Sequence, residues 1–427
     1  MMLYRAKIAV LVAVFFDFSF SAPLAAAQEP GSGFAPSITY RTGGFQPASV
    51  VLADVNGDGR PDLIVANQCS NPQCKTDGDV GVLLGDGDGT FQKATTYDSG
   101  GNIALSVVVA DVNGDGKLDL LVANMGDGSQ DGSVGVLLGN GDGTFQKAVT
   151  YDSGGKYLKS VAVSDVKGDG KPVLLVANMG DGRGNGSVGV LLGNGDGTFQ
   201  KAVTYGSGGI GSDRVAVADL NGDGKPDLIV ANLCGNDPHC LGPGTVGVLL
   251  GNGDGTFRPA VTYDSGGMGA PSLAIADVNG DGKPDIVVTN GGASGGDGVG
   301  VLLGKGNGTF RKAVTYKSGG PEAWAVAVAD VNGDGKPDIL VTHGGSNPPE
   351  HSKVGVLLGK GDGTFQRAQT CDSGGVASFS VVVGDLNGDG KPDLIVTNFW
   401  DDELNRSGPG TVGVLINTST ALSQLSR

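Results

Sequence analysis

Apolar and polar residues alternate in blocks that repeat along most of the chain. In the copy from Ser106 to Tyr151, apolar "SVVVADV" is followed by "NGDGKLD", apolar "LLVAN", the loop "MGDGSQDG", apolar "SVGVLLG", the turn "NGDG" and "TFQKAVTY". Four short runs bounded by Gly, Asn and Asp predict four β-strands. No segment shows apolar residues at helical spacing over the roughly ten residues that a helix needs.

The pattern inside each run predicts where the strand lies. The first three runs are nearly continuously apolar, as expected for strands buried on both faces. The fourth alternates, with Phe145, Val149 and Tyr151 on one side and Gln146 and Thr150 on the other. We therefore predict a four-stranded antiparallel sheet whose fourth strand is half exposed at the outside.

Seven copies of this block predict an all-β, seven-bladed β-propeller over residues 28–420, with a short tail at 421–427. The polar loops after the first strand begin at Asp54, Asp111, Asp165, Asp219, Asp277, Asp330 and Asp385. The segment "GFAPSITYRTGG" resembles a fourth strand alone, and the last copy ends after its third strand, "TVGVLINTST". We expect the segment at about 34–40 to complete the last blade and close the ring. An open solenoid, the alternative, would not need complementary ends.

The N-terminus has the pattern of a secretory signal. Arg5 and Lys7 precede an apolar run from Ile8 to Phe16, and "SAPLAAAQEP" supplies a small-residue cleavage site after Ala27. This predicts a signal peptide at 1–27 and a secreted or extracytoplasmic protein. A retained membrane anchor is the alternative, for which the apolar run is short.

Composition narrows the choice of partner. The formal charge of −16 argues against nucleic acid, whose phosphates require Lys and Arg. Many of the acids stand at fixed places in the repeats, which favours a cation as partner. The 79 Gly come from turns that recur with the repeat, since 39% of the residues are still hydrophobic.

Two close cysteine pairs occur at equivalent points of two copies. Cys69 and Cys74 lie in "QCSNPQCK", and Cys234 and Cys240 lie in "LCGNDPHCL". In an exported protein these spacings predict two short loop disulfides. A zinc site would require clustered His, and only His239 is near. The fifth, Cys371, stands where other copies have Tyr, so we expect a packed side chain.

The polar loop "DVNGDGKPDIVVTN" carries oxygen at alternate positions. Asp277, Asn279, Asp281 and Asp285 occupy positions one, three, five and nine, and position seven, Lys283, offers its backbone carbonyl. This spacing is typical of Ca²⁺ ligation by six to eight oxygens. An Asx-rich turn without metal is the alternative, but it would not need three carboxylates together.

The stretch "DVNGDGKPDIVV" followed by "VGVLLGKGNGTF" resembles the FG-GAP/VCBS-type repeats, relatives of the integrin α-subunit head propeller. The resemblance covers nearly the whole mature chain. It implies Ca²⁺ held between the first and second strands of a seven-bladed propeller. It implies little about activity, because its relatives include adhesion heads, fungal sugar-binding propellers and some polysaccharide lyases.

By this resemblance the ligands occupy five positions in six loops. The third loop, "DVKGDGKPV", has Lys167 and Val173 at two of them, so about six Ca²⁺ are expected. Position one is Asp54, Asp111, Asp219, Asp277, Asp330 and Asp385; position three is Asn56, Asn113, Asn221, Asn279, Asn332 and Asn387; position five is Asp58, Asp115, Asp223, Asp281, Asp334 and Asp389; position seven is Arg60, Lys117, Lys225, Lys283, Lys336 and Lys391; position nine is Asp62, Asp119, Asp227, Asp285, Asp338 and Asp393. The turn between strands three and four holds further acids such as Asp88 and Asp142, for which a plain Gly-rich turn is the preferred interpretation.

The loops on the opposite face differ between copies. They are expected to hold all three His and, with the blade starts beside them, both Trp, so the candidates for ligand binding there are Trp400, Trp324, His343 and His351. No catalytic constellation is evident. We expect a monomeric, non-enzymatic propeller that binds a glycan or a surface protein and does not insert into a membrane. The alternative is a polysaccharide lyase or hydrolase that uses Glu350 or Glu403.

Overall fold

The computed structural model describes residues 33–74, 77–126, 131–180, 186–235, 242–291, 296–344, 351–400 and 408–419. These residues form seven four-stranded antiparallel sheets and contain no helix that could cross a membrane. The all-β prediction is thus confirmed. The predicted signal peptide, Cys240, His239, Glu350 and Glu403 lie outside the described residues.

Each sheet is one blade, and its strands follow one another in chain order. Blade I has β2 (Phe45–Ala53), β3 (Asp62–Cys69), β4 (Asp79–Leu83) and β5 (Thr95–Asp98); blade II has β6 (Ala104–Ala110), β7 (Asp119–Asn124), β8 (Ser133–Leu137) and β9 (Val149–Asp152); blade III has β10 (Leu158–Ser164), β11 (Val173–Asn178), β12 (Ser187–Leu192) and β13 (Val203–Gly206); blade IV has β14 (Ile210–Ala218), β15 (Asp227–Cys234), β16 (Pro243–Leu249) and β17 (Val261–Met268); blade V has β18 (Leu273–Ala276), β19 (Asp285–Asn290), β20 (Gly298–Leu302) and β21 (Val314–Lys317); blade VI has β22 (Ala323–Ala329), β23 (Asp338–His343), β24 (Lys353–Leu357) and β25 (Gln369–Asp372); blade VII has β26 (Val376–Gly384), β27 (Asp393–Trp400), β28 (Thr411–Leu415) and β1 (Ile38–Arg41).

The N-terminal strand closes the ring. β1 runs antiparallel to β28, with Ile38 opposite Val414 and Arg41 opposite Thr411. An isolated bridge between Phe34 and Asn417 extends this pairing toward the chain end. The two ends therefore share one sheet, as predicted, and the last blade has no unpaired edge at β28.

The strands are arranged from the centre outward. First strands of neighbouring blades contact one another all round the ring, so they form its inner wall. Second and third strands supply most of the buried side chains. Fourth strands lie at the periphery, where Val149 is 57% exposed. The predicted half-exposed outer strand is confirmed.

Adjacent blades are joined by a repeated aromatic contact. In six fourth strands a Tyr meets, edge to face, the Phe that precedes the fourth strand of the next blade, with ring centroids 5.4–5.7 Å apart. Such pairs stabilise beyond the apolar area they bury. At the seventh interface Cys371 replaces the Tyr and packs in one cluster with Phe34. Burial raises the pKa of the Cys371 thiol to about 12, so this side chain is packed and un-ionised, as expected.

Connections emerge on two faces. The Asp-loop face carries the loops between first and second strands and the turns between third and fourth strands. The rim face carries the loops between second and third strands and the connections between blades. On the Asp-loop face, a turn glycine donates its N–H to the second residue of the preceding blade's loop at 3.1–3.2 Å: Gly89 to Leu386, Gly143 to Val55, Gly197 to Val112 and Gly308 to Leu220.

Candidate metal loops and channel rim

The Asp loops fold onto their own amides. In the loop of blade V, the Asp277 carboxylate accepts N–H bonds from Gly280 (2.8 Å) and Gly282 (2.7 Å). Asn279 Oδ1 accepts from Asp281 N at 2.8 Å, and Asp281 Oδ1 accepts from Lys283 N at 3.0 Å. The glycines at positions four and six have positive φ in all seven loops. Only Gly adopts this conformation without cost, so these glycines fix the loop's shape.

The ninth-position Asp fastens each loop to the blade. Asp285 is fully buried and accepts N–H bonds from Val278 (3.0 Å) and Gly304 (2.7 Å). Burial raises its pKa, and the charges of Asp277 and Asp281 raise it further. The same arrangement raises the pKa of Asp338 to about 6 and that of Asp393 to about 7. Asp62, Asp119 and Asp227 are raised for the same reasons.

The donor set of six loops fits a hard divalent cation. It consists of three carboxylates, an amide oxygen and a carbonyl, all oxygen. Within the described residues, no three His, Cys, Asp or Glu side chains are grouped as a metal site would group them. The carboxylates at positions one and five accept bonds from N–H groups of their own loop. The ninth Asp still feels the charges of the first and fifth, which marks the negative potential that a cation would relieve.

The third loop differs in the way its sequence suggests. Lys167 Nζ lies 2.8 Å from Asp169 Oδ2. Bonding to Asp169 raises the pKa of Lys167, and the charge of Asp165 adds to it. Val173 is buried where other loops have the ninth Asp. The loop keeps its fold, with Asp165 accepting N–H bonds from Asp169 and Gly170. The ammonium group of Lys167 belongs to the third position, where the other loops have an Asn amide.

The turns between third and fourth strands close on themselves. Asp142 Oδ1 accepts bonds from Thr144 N (3.0 Å) and Thr144 Oγ1 (2.6 Å), and these bonds lower its pKa. Asp88 bonds Thr90 in the same manner, which also lowers its pKa. This is the geometry of a turn stabilised by its own Asx side chain.

On the rim face, three blades have longer strands. In blades I, IV and VII the ladder between first and second strands extends to the pairs Phe45–Cys69, Ile210–Cys234 and Val376–Trp400. Cys69 and Cys74 form a disulfide with Cα atoms 5.0 Å apart. Cys234 is disulfide-bonded, and its predicted partner lies outside the described residues.

The histidine candidates have different surroundings. Contrary to the expectation of a loop position, His343 ends strand β23 and is only 2% exposed. Its ring nitrogens lie 3.0 Å from Lys353 O and 3.0 Å from Ser318 Oγ, and burial lowers its pKa. It occupies the place of a buried Asn in other blades, so it is structural. His351 is exposed, with Nδ1 3.0 Å from Asp372 Oδ1.

A ring of bulges borders the channel on the rim face. The ladder of six innermost strands skips a residue at one equivalent place, six positions before the loop's first Asp. Bulges release a residue from the ladder and re-aim its side chain. We call these positions, with the equivalent Pro271 of blade V, the channel rim: Ala48, Leu105, Lys159, Asp213, Pro271, Trp324 and Phe379.

Two predicted candidates belong to an aromatic cluster at this rim. Trp324 and Phe379 have ring centroids 4.7 Å apart, Phe379 stacks on Phe399 at 3.9 Å, and Phe399 meets Trp400 edge to face at 5.8 Å. All four rings are partly exposed. Phe379 and Phe399 were not among the sequence candidates. Aligning the seven copies on their Asp loops would have revealed Phe379, since only Trp324 among the other copies is aromatic at this position.

The backbone before each innermost strand is also unusual. Eight positions before the loop's first Asp, φ is positive in all seven blades. Only blades IV and V have Gly there; the others have Gln46, Ile103, Tyr157, Glu322 and Ala377. The conformation directs the carbonyl of Ile103 to Met125 N and that of Glu322 to Gly344 N, each at 3.0 Å. These bonds cap the second strand at the price of backbone strain.

This constellation of fold and loops defines a repeat propeller with one Asp-loop face. The FG-GAP-like repeat model matches residues 54–122, 111–176, 165–230, 236–288, 277–341 and 345–396, and the FG-GAP repeat model matches 378–415. The chain therefore belongs to the FG-GAP repeat family. No curated protein matches it.

Solved structures share the fold. A periplasmic gluconolactonase of Pseudomonas aeruginosa, PpgL, is 20% identical with a TM-score of 0.55, covering 76% of this chain and 85% of its own. The structure of BBS1N in complex with ARL6DN is 13% identical with a TM-score of 0.56, covering 91% and 98%. A protein from Lactobacillus plantarum is 15% identical with a TM-score of 0.50, covering 75% and 84%. At these identities the likeness concerns the fold alone.

Proposed function

We propose that this chain is an exported, monomeric, calcium-stabilised propeller that binds a glycan or a surface protein through its rim face. The partly exposed cluster of Trp324, Phe379, Phe399 and Trp400 is the observation that carries the binding role. Aromatic faces with a polar edge stack on sugar rings and anchor protein partners. The inner strands hold the cluster on a rigid frame, which limits the entropy lost on binding.

Calcium is assigned a structural role in this proposal. The six oxygen-rich loops lie on the Asp-loop face, away from the aromatic cluster. A cation in each would neutralise the carboxylates at positions one, five and nine and hold first and second strands together. Signal-like residues 1–27 support export, and millimolar Ca²⁺ outside the cell suits such loops.

The alternative is a carbohydrate-active enzyme. It would require two or more titratable groups that converge in one pocket with access to substrate. Its proposed acids, Glu350 and Glu403, lie outside the described residues, and the described part of the rim face offers aromatic rings more than paired acids. Binding without turnover is therefore the better supported function.

A glycan array probed in millimolar Ca²⁺ tests the proposal. We expect a restricted set of glycans to bind, and Trp400→Ala to weaken that binding by about tenfold or more, as is usual for aromatic anchors. Bound calcium per chain should stay unchanged, because Trp400 lies on the other face. A partner protein recovered by crosslinking at a cell surface should show the same dependence. Wild-type affinity in Trp400→Ala for every ligand found would contradict the proposal.

A further inference from the structure

The channel rim is asymmetric in a way that the fold does not require. Seven equivalent positions circle one mouth of the channel, yet blades VI and VII place Trp324 and Phe379 there, while blades III and IV place Lys159 and Asp213. Blades I and II have Ala48 and Leu105. The mouth thus has an aromatic arc and a charged arc separated by small or apolar residues.

A third charged side chain, that of Arg214, adds to the charged arc. Arg214 follows Asp213 in β14, at a place where five other blades have Ser: Ser49, Ser106, Ser160, Ser272 and Ser380. The surrounding blades bury its guanidinium, which lowers the pKa of Arg214, and burial raises the pKa of Asp213. Both residues nevertheless keep partial exposure.

Among the described residues, the charged arc has an excess of positive charge. The ion pairs among the described residues include neither Asp213 nor Arg214. Asp213 feels the charges of Lys159 and Arg214, so the arc has two cations for one carboxylate. Enclosing a guanidinium without a bonded partner costs free energy. A fold with Ser at the same place in five blades has no structural need for it.

The aromatic arc has an unused donor of its own. The Trp324 Nε1 atom is buried and has no hydrogen-bond partner among the described residues. Its indole edge lies against the backbone of Gly344, where a Cβ would clash with Nε1. Among the described residues, packing against Gly344 and Phe379 holds the ring in place.

We propose that the channel mouth binds a short acidic oligosaccharide, whose sugar ring stacks on the Trp324–Phe379 arc and whose carboxylate pairs with Arg214 and Lys159. The inference deepens the proposed function and rests on it. Arg is suited to bidentate recognition of a carboxylate, and Asp213 accepts hydrogen bonds from sugar hydroxyls. Because the chain has a formal charge of −16, most of its surface repels an anion, and the charged arc would direct an anionic ligand to the channel mouth.

Intrinsic fluorescence reports on this site directly, since the chain has 2 Trp, Trp324 and Trp400, and both belong to the aromatic cluster. The probes are two pairs: hyaluronan tetrasaccharide with neutral chitotetraose, and sialyllactose with lactose, titrated in millimolar Ca²⁺. We expect a saturable fluorescence change with at least one acidic probe, at an affinity about tenfold or more above its neutral counterpart.

Arg214→Ser is the decisive variant, because five blades already carry Ser there and the fold accommodates it. It should reduce the affinity for the acidic probe to that of the neutral one. Lys317→Ser is the matched control: it removes the same charge from an 86% exposed side chain on β21 and should leave affinity unchanged. Equal losses in both variants would overturn the inference, because they would indicate unspecific electrostatics.

Two further outcomes separate this inference from the proposed function. If neutral sugars bind through Trp400 and Arg214→Ser has no effect, the binding function stands and the acidic-sugar assignment is wrong. If none of the four probes alters the fluorescence, the acidic-sugar assignment is overturned, and the array with Trp400→Ala decides the proposed function independently.

Discussion

The two faces of this propeller have different residues at backbone positions with positive φ. On the Asp-loop face, every positive-φ position of the seven loops is Gly, as at Gly280 and Gly282. On the rim face, Gly takes the positive φ in each connection between blades, as at Gly100, but a second recurrent positive-φ position has a non-Gly residue in five blades, including the β-branched Ile103. One face repeats a strain-free loop almost without change, whereas the other accepts strain and changes its side chains from blade to blade. Rigid repetition suits a metal loop, and variety on a fixed frame suits a binding surface.

Buried carboxylates show the same contrast. On the Asp-loop face, Asp338 and its equivalents each accept two backbone N–H bonds and lie near loop acids that a cation would neutralise. On the rim face, Asp79 is 6% exposed and accepts a hydrogen bond from Asn67 Nδ2 at 2.7 Å. In the described part of the chain, no oxygen-rich loop like the six surrounds Asp79, so no cation is expected to neutralise it.

Chelation should have the largest effect. Removing Ca²⁺ with EDTA leaves the loop carboxylates uncompensated, while each occupied site adds about 2.7 kcal/mol at a ligand concentration a hundred times its Kd. We expect Tm to fall by more than about 10 °C, measured by calorimetry in EDTA and in millimolar Ca²⁺. Mg²⁺ at the same concentration is the control and should restore little. Superimposable melting curves would show that the Asp loops need no metal.

The substitution Asp79→Ser tests whether this buried carboxylate of the rim face destabilises the protein when it is ionised. Burial raises the pKa of Asp79 to about 6. The hydrogen bond from Asn67 opposes this shift, and the negative charge of Asp98 adds to it. The folded chain therefore binds this proton more tightly than the unfolded chain, and the wild type loses stability as pH rises from about 4 through 6. Blades II and III have Ser at this place, and Ser avoids the free-energy cost of a buried, ionised carboxylate.

The expected gain from Asp79→Ser is on the order of 2–3 kcal/mol at pH 8, from a shift of about two pKa units, and it should vanish near pH 4. Urea unfolding of both proteins at the two pH values, with Ca²⁺ present, measures the difference directly. A gain that is the same at both pH values would mean that the carboxylate charge is not its cause.

Much of this architecture could be predicted from the sequence because it is periodic. The strand order, the ring closure by β1 and the outer position of "VTY" all follow from comparing copies with one another. The prediction that His343 lies in a loop is wrong, because this residue aligns with the Asn that ends the second strand in other blades. Of the aromatic cluster, Trp324 and Trp400 were identified from the sequence, but Phe379 and Phe399 were not. A β-bulge leaves no trace in apolar periodicity, so the orientation of Phe379 depends on tertiary geometry.

Two opposite substitutions, Gly116→Ala and Ala377→Gly, compare the backbone strain on the two faces, and their expected effects on stability are the smallest. Gly116 has φ +83° and open space around an added Cβ, so Gly116→Ala should cost about 1 kcal/mol through the backbone alone. Ala377 has φ +58° and donates its N–H to Ser352 Oγ, a bond that Gly keeps. Ala377→Gly should therefore stabilise by up to about 1 kcal/mol. Thermal unfolding compares the two, and effects of the same sign would contradict the assignment of strain to the rim face.

Counting bound calcium tests the central claim, that side-chain oxygens at alternate positions hold the metal. Native mass spectrometry of the wild type should give about six ions, because Lys167 and Val173 remove two ligands from the third loop. Lys167→Asn with Val173→Asp should add one ion, and Lys167→Asn alone should add none, since the ninth-position carboxylate would still be missing. An ion already bound at Asp165 in the wild type, or no gain in the double variant, would contradict the account.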